Sequence, residues 1–159
     1  MKKVLLILIF AISFVILFGQ SVESTISANE KSFPTNINEG NFKKLKKFDG
    51  KIVAFDGVIE QIENSRNNTP FYKLRIGENK YLWTVLMFKN DKNKIGDKIR
   101  VVGYLSSLEA NEAEKKYLSG KYMVLSFGLV DIENSNFLFI SGAEVQKLEW
   151  IDGKIPSSK

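Results

Sequence analysis

From Lys51 to Leu148, short apolar segments with a period of two follow one another, each ended by a turn-forming cluster. This pattern constrains the fold most. A period of two sends successive side chains to opposite faces, so each segment reads as a strand. Lys51–Ile62 is the first. Val53 and Phe55 mark one face before Gly57, and Val58 and Ile62 take the other parity after it. A change of phase at a glycine predicts a bulge or sharp coil within one long strand. Asn64–Pro70 is a turn-rich loop, and Phe71–Ile76 is a second strand. Gly77-Glu78-Asn79-Lys80 makes a hairpin connection to a third, Tyr81–Phe88. A polar link, Asn90–Asp97, leads to a fourth, Lys98–Leu105, with Gly103 inside it.

The period then changes. Ser106 with Glu109 three later makes a possible capping box, Glu112 precedes Lys116 by four, and Gly120 is a stop. A short helix is expected over Ser106–Leu118. Two more strands are read at Lys121–Ile132 and Phe137–Leu148, with Glu133–Asn136 as the turn, and 151–159 is a polar tail. Successive short strands with tight turns predict an all-β domain with one or two short helices. Its antiparallel sheet closes into a small barrel, since closure removes exposed edges.

The chain opens like an export signal. Lys2 and Lys3 precede the apolar run Val4–Phe18, and Gly19 and Ser21 are small residues suited to cleavage before Val22. The run is about 15 residues, short of the roughly 20 that span a bilayer comfortably. The expectation is a signal over 1–21 and a periplasmic or secreted protein, with a membrane anchor at 4–18 as the alternative. The remaining part, about 138 residues, suffices for one domain. With no cysteine in the chain, that domain must stand on its own core. Val22–Gly40 is polar and reads as a flexible tether, followed by a short basic helix over Asn41–Phe48. The barrel is expected over 49–150. Lys43, Lys44, Lys46 and Lys47 surround Leu45. They read as a solvated helix face or as a contact for anionic headgroups. The net charge of +5 falls to +3 when Lys2 and Lys3 leave with the signal. That excess is too small to indicate nucleic-acid binding by itself.

Val53-Ala54-Phe55-Asp56-Gly57-Val58-Ile59 resembles the first strand of an OB-fold, in which a glycine lets the strand coil into both halves of the barrel. Phe71–Ile76 and Tyr81–Leu86 resemble its second and third strands. Ile95-Gly96-Asp97-Lys98-Ile99-Arg100-Val101-Val102-Gly103-Tyr104-Leu105 resembles the pattern leading through the fourth, and Ala143–Leu148 resembles a closing strand. The likeness covers roughly 51–148 and is to the nucleic-acid-binding and exported bacterial type. The usual helix between strands three and four shrinks to Asn90–Lys94, and a helix and a strand are inserted after strand four.

The resemblance implies a ligand face on the outside of strands two and three. Alternation places Phe71, Lys73 and Arg75 on one side and the more apolar Tyr72, Leu74 and Ile76 on the other, toward the core. Tyr81 and Trp83 join the first set if their face is outward, and Arg66 on the preceding loop extends it. Aromatic plates beside cations suit single-stranded nucleic acid, where bases stack and phosphates pair. An exported protein meets more glycan, peptide and envelope protein, which the same surface could hold. The opposing reading puts Trp83 in the core and makes Lys73 and Arg75 ordinary solvent-facing charges.

The chain has no histidine and no cysteine, which removes the common nucleophilic, metal-binding and near-neutral acid–base groups. The haem chaperone of cytochrome maturation shares the fold but holds haem through a histidine, so that role is excluded. No cofactor or metal is expected. The acids Asp49, Asp56, Glu60 and Glu63 are the material for a carboxylate-based hydrolase, and show no specific spacing. The expectation is a non-enzymatic binding or assembly module of the bacterial envelope. Its partner would be an envelope protein, peptide or glycan. Nucleic acid is an alternative, and membrane contact would run only through an uncleaved signal or the Lys43–Lys47 cluster.

Overall fold

The structure, a computed structural model, describes residues 21–25, 32–64, 69–107, 121–134 and 136–157. Residues 1–20 of the signal expected over 1–21, Arg66 and nearly all of the expected helix over Ser106–Leu118 lie outside them, while Ser21, the last residue of that signal, opens a strand. Ser106 and Ser107 themselves continue a strand.

The described residues form seven strands: β1 (Ser21–Thr25), β2 (Ile52–Asn64), β3 (Pro70–Gly77), β4 (Lys80–Leu86), β5 (Lys98–Ser107), β6 (Tyr122–Asp131) and β7 (Asn136–Ile140). A 3₁₀ helix, Phe42–Phe48, precedes β2, and an α-helix, α1 (Glu144–Ile151), follows β7. The sheet order is β1-β7-β6-β4-β3-β2-β5, and β5 also pairs with β6. That last pairing closes β2, β3, β4, β6 and β5 into a five-stranded barrel.

The barrel is mixed rather than antiparallel. β4 and β6 run parallel, with Trp83 opposite Met123 and Leu86 opposite Ser126. The reason is topological. β5 returns antiparallel to β2, β6 antiparallel to β5, and the strand that then meets β4 must point the same way. The closing strand is therefore β6, not Ala143–Leu148. Gly142, at φ +92, turns the chain after β7, and Glu144 opens α1 with an acid in its first turn. Ala143 and Ile151 then pack on the core while Trp150 is fully buried within it. Val145 and Leu148, the apolar residues that suggested a strand, are exposed on the helix.

β2 explains how one strand serves two neighbours. Its first half pairs with β5, from Ile52–Tyr104 to Val58–Lys98, and its second half with β3, from Val58–Arg75 to Asn64–Pro70. The chain coils where Gly57 lies. A Cβ there would press on the Leu74 side chain, 2.8 Å away. The change of phase comes three residues later. Ile59 faces Leu74 and Gln61 faces Lys73, so Glu60 is the extra residue of a bulge. Val53, Phe55 and Ile59 are buried before it, and Ile62 packs on the core after it.

The segment read as a tether, Val22–Gly40, behaves otherwise: Val22–Thr25 belong to β1 and pair with β7, and from Ser32 on the chain is held against β2. Phe33 and Ile37 are 1% exposed. Asn36 accepts the Ala54 N–H and donates to the Ile52 carbonyl, while its own N–H and that of Ile37 bond to the Ala54 carbonyl. Two apolar side chains and an asparagine suffice to pin a polar-looking stretch along β2. The far end is sealed by rings. Phe33 meets Trp150 edge-on at 5.0 Å and Phe137 at 5.1 Å, and the Trp150 indole donates to the Pro34 carbonyl at 3.0 Å.

Candidate functional site

Directly opposed residues of an antiparallel pair share a face. β3 and β4 oppose Phe71 to Val85, Lys73 to Trp83 and Arg75 to Tyr81 on one side, and Tyr72 to Thr84 and Leu74 to Leu82 on the other. Tyr72, Leu74 and Leu82 belong to the main core. Phe71, Lys73, Arg75, Tyr81 and Trp83 therefore lie together on the outside of the barrel. β6 continues this face with Met123 and Leu125, which oppose Trp83 and Val85.

The face has a distinct centre and rim. Trp83, Val85 and Met123 form a small apolar cluster apart from the barrel core, with Phe71 and Leu125 packed on it. Trp83 is only 3% exposed. It is thus neither a core residue nor an open stacking plate, but the buried middle of an outer patch. Its indole N–H finds no acceptor, the one such buried side-chain group among the described residues. An unpaired buried donor is costly and calls for an explanation.

The rim is polar and internally paired. Arg75 Nε donates to Glu60 Oε1 at 2.5 Å, and that carboxylate holds the guanidinium even more firmly protonated than usual. Lys73 sits over the Tyr81 ring, 4.8 Å from its centroid. Gln61 lies opposite Lys73 and donates to Glu63 at 2.6 Å. The bulge at Glu60 is what brings this acid to Arg75.

The four acids considered for hydrolysis go to different partners. Asp49 accepts the Ser107 N–H at 2.9 Å. Asp56 is held by two bonds from Arg100, which also donates to the Phe33 carbonyl at 2.7 Å. Glu60 takes Arg75, and Glu63 takes Gln61. Sequence reasoning reached the β3–β4 members of the face. It missed Met123 and Leu125, whose part depends on a parallel pairing that no local signal announces.

No family model matches the sequence, and no curated protein matches it. Among solved structures, the chain is similar to an aspartyl tRNA synthetase from Entamoeba histolytica, with 12% identity and a TM-score of 0.51. The likeness covers 67% of this chain and 23% of the synthetase, so this chain matches about a quarter of that protein's length. At this identity the likeness is one of fold: the barrel is an OB-fold.

Proposed function

We propose that this protein is a non-enzymatic binding module of the bacterial envelope, whose outer β3–β4–β6 face receives a protein or peptide partner. The carrying observation is the anatomy of that face. An apolar centre of Trp83, Val85 and Met123 is ringed by charged and polar residues, Glu60, Glu63, Lys73 and Arg75. Apolar centre and polar rim are the usual layout of a protein interface, and buried tryptophans dominate binding energies there. Export rests on the apolar start of the chain and its small residues at 19 and 21.

Single-stranded nucleic acid is the second reading, favoured by the fold shared with a tRNA synthetase. The rim argues against it. Lys73 occupies the Tyr81 ring, and Arg75 is neutralised by Glu60. A nucleic acid would have to break both pairs before bases could stack and phosphates bind.

Tryptophan emission tests the proposal, with Trp83→Phe as the control. Envelope peptides, glycan fragments and single-stranded oligonucleotides are titrated at low and high salt. A peptide response that survives salt and disappears in Trp83→Phe is expected. An oligonucleotide response that collapses with salt and is lost in the variant would install the second reading.

A further inference from the structure

We propose that the 3₁₀ helix Phe42–Phe48 and the following Lys51 form a docking surface for the anionic headgroups of a lipid bilayer. The helix is fixed to the barrel: Leu45 is 6% exposed, and Phe42 and Phe48 pack on the core. Lys43, Lys44, Lys46, Lys47 and Lys51 all stand exposed around this anchor. None of the five forms an ion pair among the described residues. The one acid in the stretch, Asp49, is turned to the Ser107 amide.

The charge is therefore concentrated. Residues 42–51 hold five lysines and one aspartate, a net +4 of the chain's +5, which leaves +1 for all other residues together. Elsewhere on the fold Arg75, Lys80, Arg100 and Lys147 each face a carboxylate. A cluster of unpaired lysines on a pinned element costs little ordering to bind. Its chemistry is that of compact point charges without a bidentate fork. The rings beside them, Phe42 and Phe48, face the core, so the surface reads charge and offers no plate for a base. The envelope location proposed above, on which this choice of partner rests, puts the exported chain beside a bilayer, which favours lipid headgroups over a soluble polyanion. This surface is separate from the β3–β4–β6 face and does not depend on its ligand.

The test uses the full chain as isolated after export. Partition is measured by flotation with phosphatidylcholine vesicles and with vesicles containing about one third phosphatidylglycerol. Each lysine near an anionic surface adds roughly fivefold. The chain should prefer the anionic vesicles at least tenfold at low salt. K43Q/K44Q/K46Q/K47Q should lose that preference while its melting temperature stays the same. The corresponding four-arginine variant should keep it. Equal partition of the unaltered chain into both vesicles overturns the proposal. So does a glutamine variant that retains the preference, or lysine-dependent binding of inorganic polyphosphate with none to vesicles.

Discussion

Trp83 and Trp150 are both buried and differ in what their indole nitrogens find. Trp150 donates to Pro34, whereas Trp83 finds no acceptor among the described residues. Replacing an unpaired donor removes a penalty, and replacing a paired one strands a carbonyl. Trp83→Phe should therefore change stability by less than about 1 kcal/mol, and Trp150→Phe should cost roughly 2–3 kcal/mol. Urea denaturation of the two variants checks this, and equal losses would refute the contrast. Tyr72 gives a pH prediction. Burial first, then the carboxylates of Asp97 and Asp91, raise its phenol to about 12. The folded state therefore keeps the proton where the unfolded chain, near 10, has released it. The contribution is intact below pH 10 and is lost as pH rises toward 12, by up to about 3 kcal/mol. Lysines titrate over the same range, so the measurement is the difference from Tyr72→Phe. That variant should show a shallower decline, and parallel curves would sink the assignment.

Elements here are held by contacts far apart in sequence. Gly103 sits at the irregularity between β5 and β6, where a Cβ would collide with the Leu125 carbonyl and the Ser126 backbone. Backbone cannot swing aside as a side chain can. Gly103→Ala should destabilise by roughly 1–3 kcal/mol, read from the denaturation midpoint. A neutral substitution there would mean that β5 and β6 can separate without loss. Strands β2 to β6 were legible as short apolar segments bounded by turn-forming residues, with a period of two clearest in half-buried β3. α1 was not, because a short helix exposing Val145 and Leu148 presents apolar residues without a clear helical stripe. Gly142, in the left-handed region, was the available signal. The segment 32–40 was misread because its buried apolar anchors, Phe33 and Ile37, are too few to make a period, and its remaining ties run to distant residues such as Arg100 and Trp150.

At the scale of the whole molecule, closure is non-local. β4 meets β6 some forty residues on, with Thr84 bonded to the Val124 carbonyl, and Trp150 reaches Pro34 across 116 positions. Such topologies pay loop-closure entropy before contacts reward it. Stopped-flow refolding should proceed in roughly milliseconds to seconds. Because Phe33, Trp150 and the barrel share one core, fluorescence and circular dichroism should report one coincident unfolding transition. Two transitions would separate the terminal segments from the barrel as an independent unit.

The sequence by itself determined that β2 to β6 are strands, that β2 coils near Gly57, and that Phe71, Lys73 and Arg75 share a side. These follow from alternation and turn chemistry, which act between neighbours in the chain. The tertiary structure decided which strand closes the barrel and that Trp83 is buried on the outside. It also decided that Glu60 neutralises Arg75 and that Asp49 leaves the lysines of the 3₁₀ helix unpaired. Each of these depends on which distant residues meet, and a local period carries no information about that.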